Sequence, residues 1–198
     1  MRFAQRLFLW FGVAALAYAG GTAAYAGIYQ RYQSWKFEGA RASAIAQNLA
    51  VPKIIGAAVV EEAADVQEGD LLGKLEIPRI GISVMFLQGM DEKTLLLGAG
   101  HVPGTPSPGA EGNVVIAAHR DTFFRKLEAI LPGDSIKVAT VRRTYRYVVI
   151  STEIADPEDT RSMESRDRKE LTLITCFPFY YVGAAPKRFV VHALPTGS

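Results

Sequence analysis

The chain is poor in the residues that most often carry chemistry: its 198 residues hold one cysteine, Cys176, and three histidines, His101, His119 and His192. A single cysteine excludes an intramolecular disulfide. No two histidines stand at i, i+2 or i, i+4 and the carboxylates are scattered, so neither a transition-metal nor a calcium site is expected, and no cofactor is implied. A large excess of one charge is also missing. The net charge is +2 and the charges are interspersed, with no basic stripe interleaved with aromatics, which excludes nucleic acid as a partner. There is no internal repeat or low-complexity block, and "GAGHVPG" lacks the spacing and the following helix of a dinucleotide loop.

What is present begins with "MRFAQRLFLWFGVAALAYAGGTAAYAGIYQ", in which Arg2 and Arg6 precede a charge-free run from Leu7 to Gln30. As a helix this run reaches roughly 35 Å, enough for a hydrocarbon core of about 30 Å. Basic residues ahead of it favour a cytoplasmic N-terminus and an exported remainder. A cleaved signal peptide is the alternative, since both "AYAG" stretches offer an A-x-A-like site. Either reading places the rest of the chain outside the cytoplasm, where a lone thiol pairs with another chain, stays buried, or works.

Residues 1–30 are therefore expected to be a signal-anchor or transmembrane helix, and 31–70 a juxtamembrane helix followed by a linker. The segment "YQRYQSWKFEGARASAIAQNLA" is rich in helix formers and stops before Pro52, while "AAVVEEAADVQEGD" has no apolar face at either period. From 71 to 198 the texture changes to short runs rich in β-branched and aromatic residues divided by Gly and Pro, among them "GISVMFLQG", "GNVVIAAH", "YRYVVIST", "ELTLITC" and "RFVVHAL". Seven or eight such strands fit a barrel or a sandwich. Asp91 to Leu97 and Thr122 to Leu127 have length for a turn or two of helix, so the class is mainly β with short helices.

Cys176 closes the run "ELTLITC", and Arg188 opens "RFVVHAL" after the eleven residues from Phe177 to Lys187. If these consecutive strands pair antiparallel, Cys176 and Arg188 meet at one end of the sheet. A neighbouring cation favours a thiolate, and a guanidinium offers fixed donors to an oxyanion; a surface charge at a strand end is the plainer reading of Arg188. Of the histidines, His119 stands at a strand-to-loop boundary, His101 in a Gly/Pro loop where a hydrogen-bonding role suffices, and His192 inside the last strand. Asp121 shares the face of His119 if the extended conformation persists, and can then orient the imidazole.

These residues sit in segments that resemble the sortases, membrane-anchored cysteine transpeptidases. "TLITC" fits the family's TLxTC signature, "GNVVIAAHRDTFF" is similar to its histidine segment, "CFPFYYVGAAPKRFVV" resembles the arginine-bearing stretch of class D in particular, and "GAGHVPGT" also looks like sortase sequence. The resemblance covers about Leu71 to Leu194. It implies an eight-stranded β-barrel, Cys176 as nucleophile, His119 as general acid/base and Arg188 as the residue that steadies substrate and oxyanion. It also implies the reaction: attack on the Thr–Gly bond of an LPxTG-like sorting signal, a thioester on Cys176, and release to an amine. The implied partners are a surface protein or pilin carrying that signal, an amine acceptor on the envelope or another subunit, and the membrane.

Thr175, Phe177 and Tyr180 are candidates for substrate contact, although a strand threonine and loop aromatics folded over a core explain them equally well. Ala118 replaces the glycine common before the histidine. The terminal "LPTGS" is similar to a sorting signal lacking a residue, but no apolar segment and basic tail follow it. Two other functions remain open at this level: a cysteine endopeptidase in which water takes the acyl group, and a non-catalytic exported β-domain with an inert thiol.

Overall fold

Between residues 71 and 195 eight runs of three to twelve residues form strands, and the strands close on themselves. The computed structural model describes residues 2–50, 66–164 and 168–196. Among these, a long helix α1 (Arg2–Ala50) precedes β1 (Leu71–Ile77), β2 (Ile82–Gln88), α2 (Glu92–Leu97), β3 (Ala99–His101), β4 (Asn113–Ala117), β5 (Ser135–Ala139), β6 (Thr144–Ala155), β7 (Glu170–Phe177) and β8 (Lys187–Pro195). Most of the expected linker, residues 51–65, lies outside the described residues. The strands form one closed barrel in the order β1-β2-β3-β4-β7-β8-β6-β5, with β5 returning to β1. Closure removes the sheet edges that would otherwise expose unpaired backbone groups.

Two pairs, β2 with β3 and β4 with β7, are parallel, and the remaining neighbours are antiparallel. Inward residues from every wall form one core, in which Phe86, Leu75, Ile116, Ile136, Leu171 and Leu173 are fully buried. The two short helical stretches occur where expected. In α2, Asp91 caps the first turn by accepting from the Thr94 amide at 3.0 Å. The second is a 3-10 helix over Arg125–Ala129, starting later than the expected Thr122 because the chain turns through 120–124 first.

The helix α1 does not end at residue 30. It runs on without a break and packs across the outside of the barrel. Gln30 donates from Nε2 to the Leu97 carbonyl at 2.6 Å and accepts the Met85 amide at 2.8 Å. One turn and more further on, Phe37 is buried with Met85 and Ala139, Glu38 lies 3.5 Å from Lys74, and Arg41 donates to the Thr140 carbonyl at 3.2 Å. The approach requires Gly98: a Cβ there would sit 2.4 Å from the Met85 carbonyl oxygen and 2.9 Å from Gln30 Nε2.

On the side of the barrel before β5, Arg79 grips the buried carboxylate of Asp134, with Nη2 to Oδ2 at 2.6 Å, while the Leu131 amide donates to the same oxygen at 2.8 Å. The hydrogen bond from Arg79 holds the Asp134 carboxyl below the usual carboxylate range. A lowered folded-state pKa contributes stability that is present above the ordinary value of about 3.9 and is lost as pH falls through the lower one. Asp134→Asn is expected to lower the urea midpoint at pH 7, and to flatten the loss of stability that the parent chain shows between pH 5 and pH 3.

Candidate active site

Side chains alternate across a strand, so register and parity decide which residues share a face. On β7, Leu171 and Leu173 point into the core; on β8, Val191 and Ala193 do so; on β4, Val114 and Ile116. The opposite parity faces outward. β7 and β8 pair Thr172 with His192, Ile174 with Val190 and Cys176 with Arg188. The expected meeting of Cys176 and Arg188 is therefore a direct cross-strand pair, at the spacing of about 5 Å between neighbouring strands. The connecting loop is Pro178 to Pro186, since Phe177 and Lys187 both belong to the strands.

β4 runs parallel to β7 on its other side, with Ala117 opposite Ile174. The ladder continues one residue past the end of β4: the Ala118 amide donates to the Ile174 carbonyl at 3.2 Å. By parity His119 is outward, in the row after Ala117, Ile174 and Val190. That row is His119, Cys176 and Arg188, carried on three adjacent chain segments at one end of the barrel wall. His119 is exposed and Cys176 half-buried.

Thr175, beside the nucleophile candidate, points the other way and is buried. Its hydroxyl donates to the Ala118 carbonyl at 2.7 Å. Thr175 thus ties the strand that carries Cys176 to the residue before His119, a role distinct from substrate contact. Asp121 is not brought to the imidazole. The extended backbone stops before it, the chain turns through 120–124, and Asp121 is exposed. The turn is held by the Phe124 amide donating to the His119 carbonyl at 3.1 Å and by the Phe124 ring, which is fully buried in the core.

The aromatic cluster divides. Phe177 stacks on Phe189 at 6.3 Å between centroids and meets Phe179 edge-on at 6.0 Å, so both pack towards the core. Tyr180 and Tyr181 face outward, each against an arginine of the histidine loop. Arg125 lies 4.0 Å over the Tyr180 ring and donates to the Phe179 carbonyl. Arg120 donates to the carbonyls of Tyr181 and Gly183 at 2.8 and 3.0 Å. These two arginines clasp the loop after Cys176 to the loop after His119. Sequence reasoning missed them because neither strand periodicity nor any motif marks a contact between two loops 60 residues apart.

Next to the row lies an apolar cleft of about 160 Å³. Ala117, Ile174 and Val190 floor it, Val102, Pro157 and Met163 contribute to its walls, and Arg188 lines it too. Neither Phe177 nor Tyr180 is among its lining residues. Farther along the same outer face, a larger polar cleft of about 420 Å³ is lined by Glu153, Asp159, Arg161, Glu170 and His192, and holds none of the three residues of the row. His192 stands between two carboxylates there, 3.2 Å from Glu153 and 3.3 Å from Glu170.

His101 is the end of β3 and not a loop residue, and it is buried. Nδ1 lies 2.8 Å from Gln88 Oε1 and Nε2 lies 2.9 Å from the Pro106 carbonyl, so the ring pins the loop after β3. Burial pushes its pKa below the usual histidine value, which suits a neutral structural ring. Among the described residues no group of three His, Cys, Asp or Glu side chains is arranged to hold a metal ion.

Comparison with known proteins agrees with the motifs. Residues 75–196 match the family model of the sortase domain. Sortase D of Bacillus subtilis (strain 168) is 35% identical over 127 residues, covering 64% of each chain. Sortase A of Bacillus anthracis is 28% identical over 132 residues, 65% of this chain and 61% of its own. The chain thus spans somewhat less than two thirds of the length of these relatives. A solved Sortase D5 transpeptidase of Clostridium perfringens superposes with a TM-score of 0.62 at 28% identity, covering 67% of this chain and 83% of that one. The sortase C of the same organism, solved with the C-terminal cell wall sorting motif, gives 0.62 at 28% identity over 68% and 75%. With the closed eight-stranded barrel, these matches establish that the chain belongs to the sortase family.

Proposed function

We propose that the chain is a membrane-anchored cysteine transpeptidase acting on an LPxTG-like sorting signal. The observation that carries this reading is the row His119, Cys176 and Arg188 on one outward face, bordering an apolar cleft. The family membership supports it, as does the transpeptidase named among the similar structures. In this reading the apolar cleft takes the Leu-Pro part of the signal and brings the Thr–Gly carbonyl over Cys176. The thiolate sulfur forms a bond to that carbon, and the Arg188 guanidinium holds the oxygen as charge develops on it. The C–N bond then breaks, and His119 delivers a proton to the leaving amine. A second amine attacks the thioester carbon and gives its proton to His119; the C–S bond breaks, the Cys176 thiolate returns, and the acyl group leaves as a new amide. Acceptor and substrate are an amine on the cell envelope or another subunit, and a surface protein or pilin.

Residues 1–30 are read as the membrane anchor, 31–70 as stalk and linker, and 71–198 as the catalytic domain. The helix α1 is long and apolar enough to cross a membrane. Arg2 and Arg6 support an N-terminus inside the cell and a single-pass topology with the barrel outside the cytoplasm.

Cys176→Ala is expected to abolish turnover of an LPxTG-like peptide and the thioester mass adduct. An adduct that persists without the thiol would sink the reading, as would a native Cys176 that resists alkylation while turnover continues. With the native chain, added hydroxylamine or another primary amine should raise the release rate and divert product to the amide. Release that is insensitive to amines, with only the free acid formed, would make the enzyme an endopeptidase.

Arg188→Ala should lower kcat by about 100- to 1000-fold, the usual effect of losing one oxyanion donor. Thr175→Val leaves the buried Ala118 carbonyl without its partner and should cost about 1–3 kcal/mol in denaturant unfolding. It should also lower kcat with KM little changed, because His119 loses its tether. Thr175→Ser should restore both, an outcome that a purely steric role for Thr175 would not produce.

A further inference from the structure

The helix α1 carries two opposed faces beyond its apolar run. At about 100° per residue, Gln30, Phe37 and Arg41 share the face that docks on the barrel. Tyr25, Ile28, Tyr32 and Trp35 fall within an arc of roughly 80° on the other side, with Trp35 and Arg31 at the edge that borders the groove between α1 and strands β1 and β2. All four are exposed, Ile28 at 70% and Trp35 at 74%, and the Tyr32 and Trp35 rings lie 6.4 Å apart. Arg31 and Lys36 flank this stripe, one on each side, and among the described residues neither forms an ion pair within the chain.

Length decides where the stripe lies. From Leu7 to Ile28 the helix is uncharged and about 33 Å long, a match to a hydrocarbon core of about 30 Å. Gln30, two residues later, is already hydrogen-bonded to the barrel at Leu97 and Met85. No spacer separates the bilayer from the barrel. We propose that this face sits at the boundary of an anionic bilayer, with Tyr25 and Ile28 ending the hydrocarbon span and Tyr32, Trp35, Arg31 and Lys36 binding the headgroup region, and so seats the barrel at the membrane surface. This rests on the reading of α1 as a membrane anchor.

The chemistry favours lipid over a second copy of the chain. Tyr and Trp are the residues of the bilayer interface, and Arg and Lys beside them complement anionic headgroups. The same four residues are spaced as a heptad seam. A membrane forces two copies to lie parallel, however, and in a parallel pair Arg31 of one helix would face Lys36 of the other, like against like.

Seating the barrel in this way also orients the site. The helix docks on the wall around β2, β1 and β5, and β7 is four strands from β1 in the closed order of eight. The row of His119, Cys176 and Arg188 therefore stands on the barrel wall opposite the helix.

The sequence contains two tryptophans, Trp10 in the apolar run and Trp35 in the stripe, so Trp10→Phe and Trp35→Phe give full chains that each report one position. Both are reconstituted in vesicles of phosphatidylcholine and phosphatidylglycerol whose phosphatidylcholine chains are brominated near the headgroup. Both tryptophans are expected to lose most of their emission to bromine. Trp35 should recover a large part of it when phosphatidylglycerol is omitted or when Arg31→Gln and Lys36→Gln are introduced. Quenching of Trp10 without quenching of Trp35 would overturn the proposal and leave the anchor standing, whether Trp35 is then open to aqueous acrylamide or shielded by a second copy. Trp35 quenching unchanged by lipid charge and by both substitutions would overturn the role of Arg31 and Lys36. Quenching of neither tryptophan would overturn the anchor itself.

Discussion

The register of β7 between β4 and β8 is the constraint on which the site depends. β7 pairs parallel on one side and antiparallel on the other, and both pairings must hold for Ala117, Ile174 and Val190 to form one row and His119, Cys176 and Arg188 the next. A slip of one residue on any of the three segments would turn its member of the row into the core. The buried residues of opposite parity, Leu171, Leu173, Val191 and Ala193, make such a slip costly, because it would take each out of the core and turn the polar Glu170, Thr172 and His192 into it. The hydrophobic core thus sets the geometry of the chemistry on the other face of the same strands.

The strand ends need more than register, since a ladder stops where its hydrogen bonds stop. Three further ties carry order past that point. Thr175 holds the Ala118 carbonyl, Phe124 plugs the histidine loop into the core, and Arg120 and Arg125 clasp the two loops that leave the site. Each uses a different kind of interaction: a buried hydrogen bond, an apolar anchor, and guanidinium groups set against carbonyls and aromatic faces.

The helix imposes a second, longer-range order. By docking on the wall opposite β7, α1 fixes the direction of its apolar N-terminal segment relative to the barrel. A flexible tether would leave the site to sample all orientations. A docked helix with Gln30, Phe37 and Arg41 in fixed contacts restricts it to one side.

Much was legible beforehand because it depends on local pattern. The apolar alternation of "ELTLITC" and "RFVVHAL" marked strands, their adjacency in sequence marked a pair, and that pair brought Cys176 to Arg188. The charge-free run from Leu7 to Gln30 marked a helix long enough to span a bilayer. The position of Asp121 was misjudged because alternation says nothing about where a strand stops, and the turn at 120–124 follows from burying Phe124. His101 reads as a loop residue for the reverse reason: a three-residue strand that follows Gly98 and contains Gly100 leaves almost no periodic signal. The parallel pairing of β4 with β7 is a long-range contact that the alternation of neither strand specifies. Sequence by itself determined which way each strand's faces divide, since that follows from a period of two, and its motifs carried the family resemblance that singles out Cys176, His119 and Arg188. Only the tertiary structure decided that three outward residues from distant segments form one row, because closing a barrel is a choice of partners made by the whole core at once.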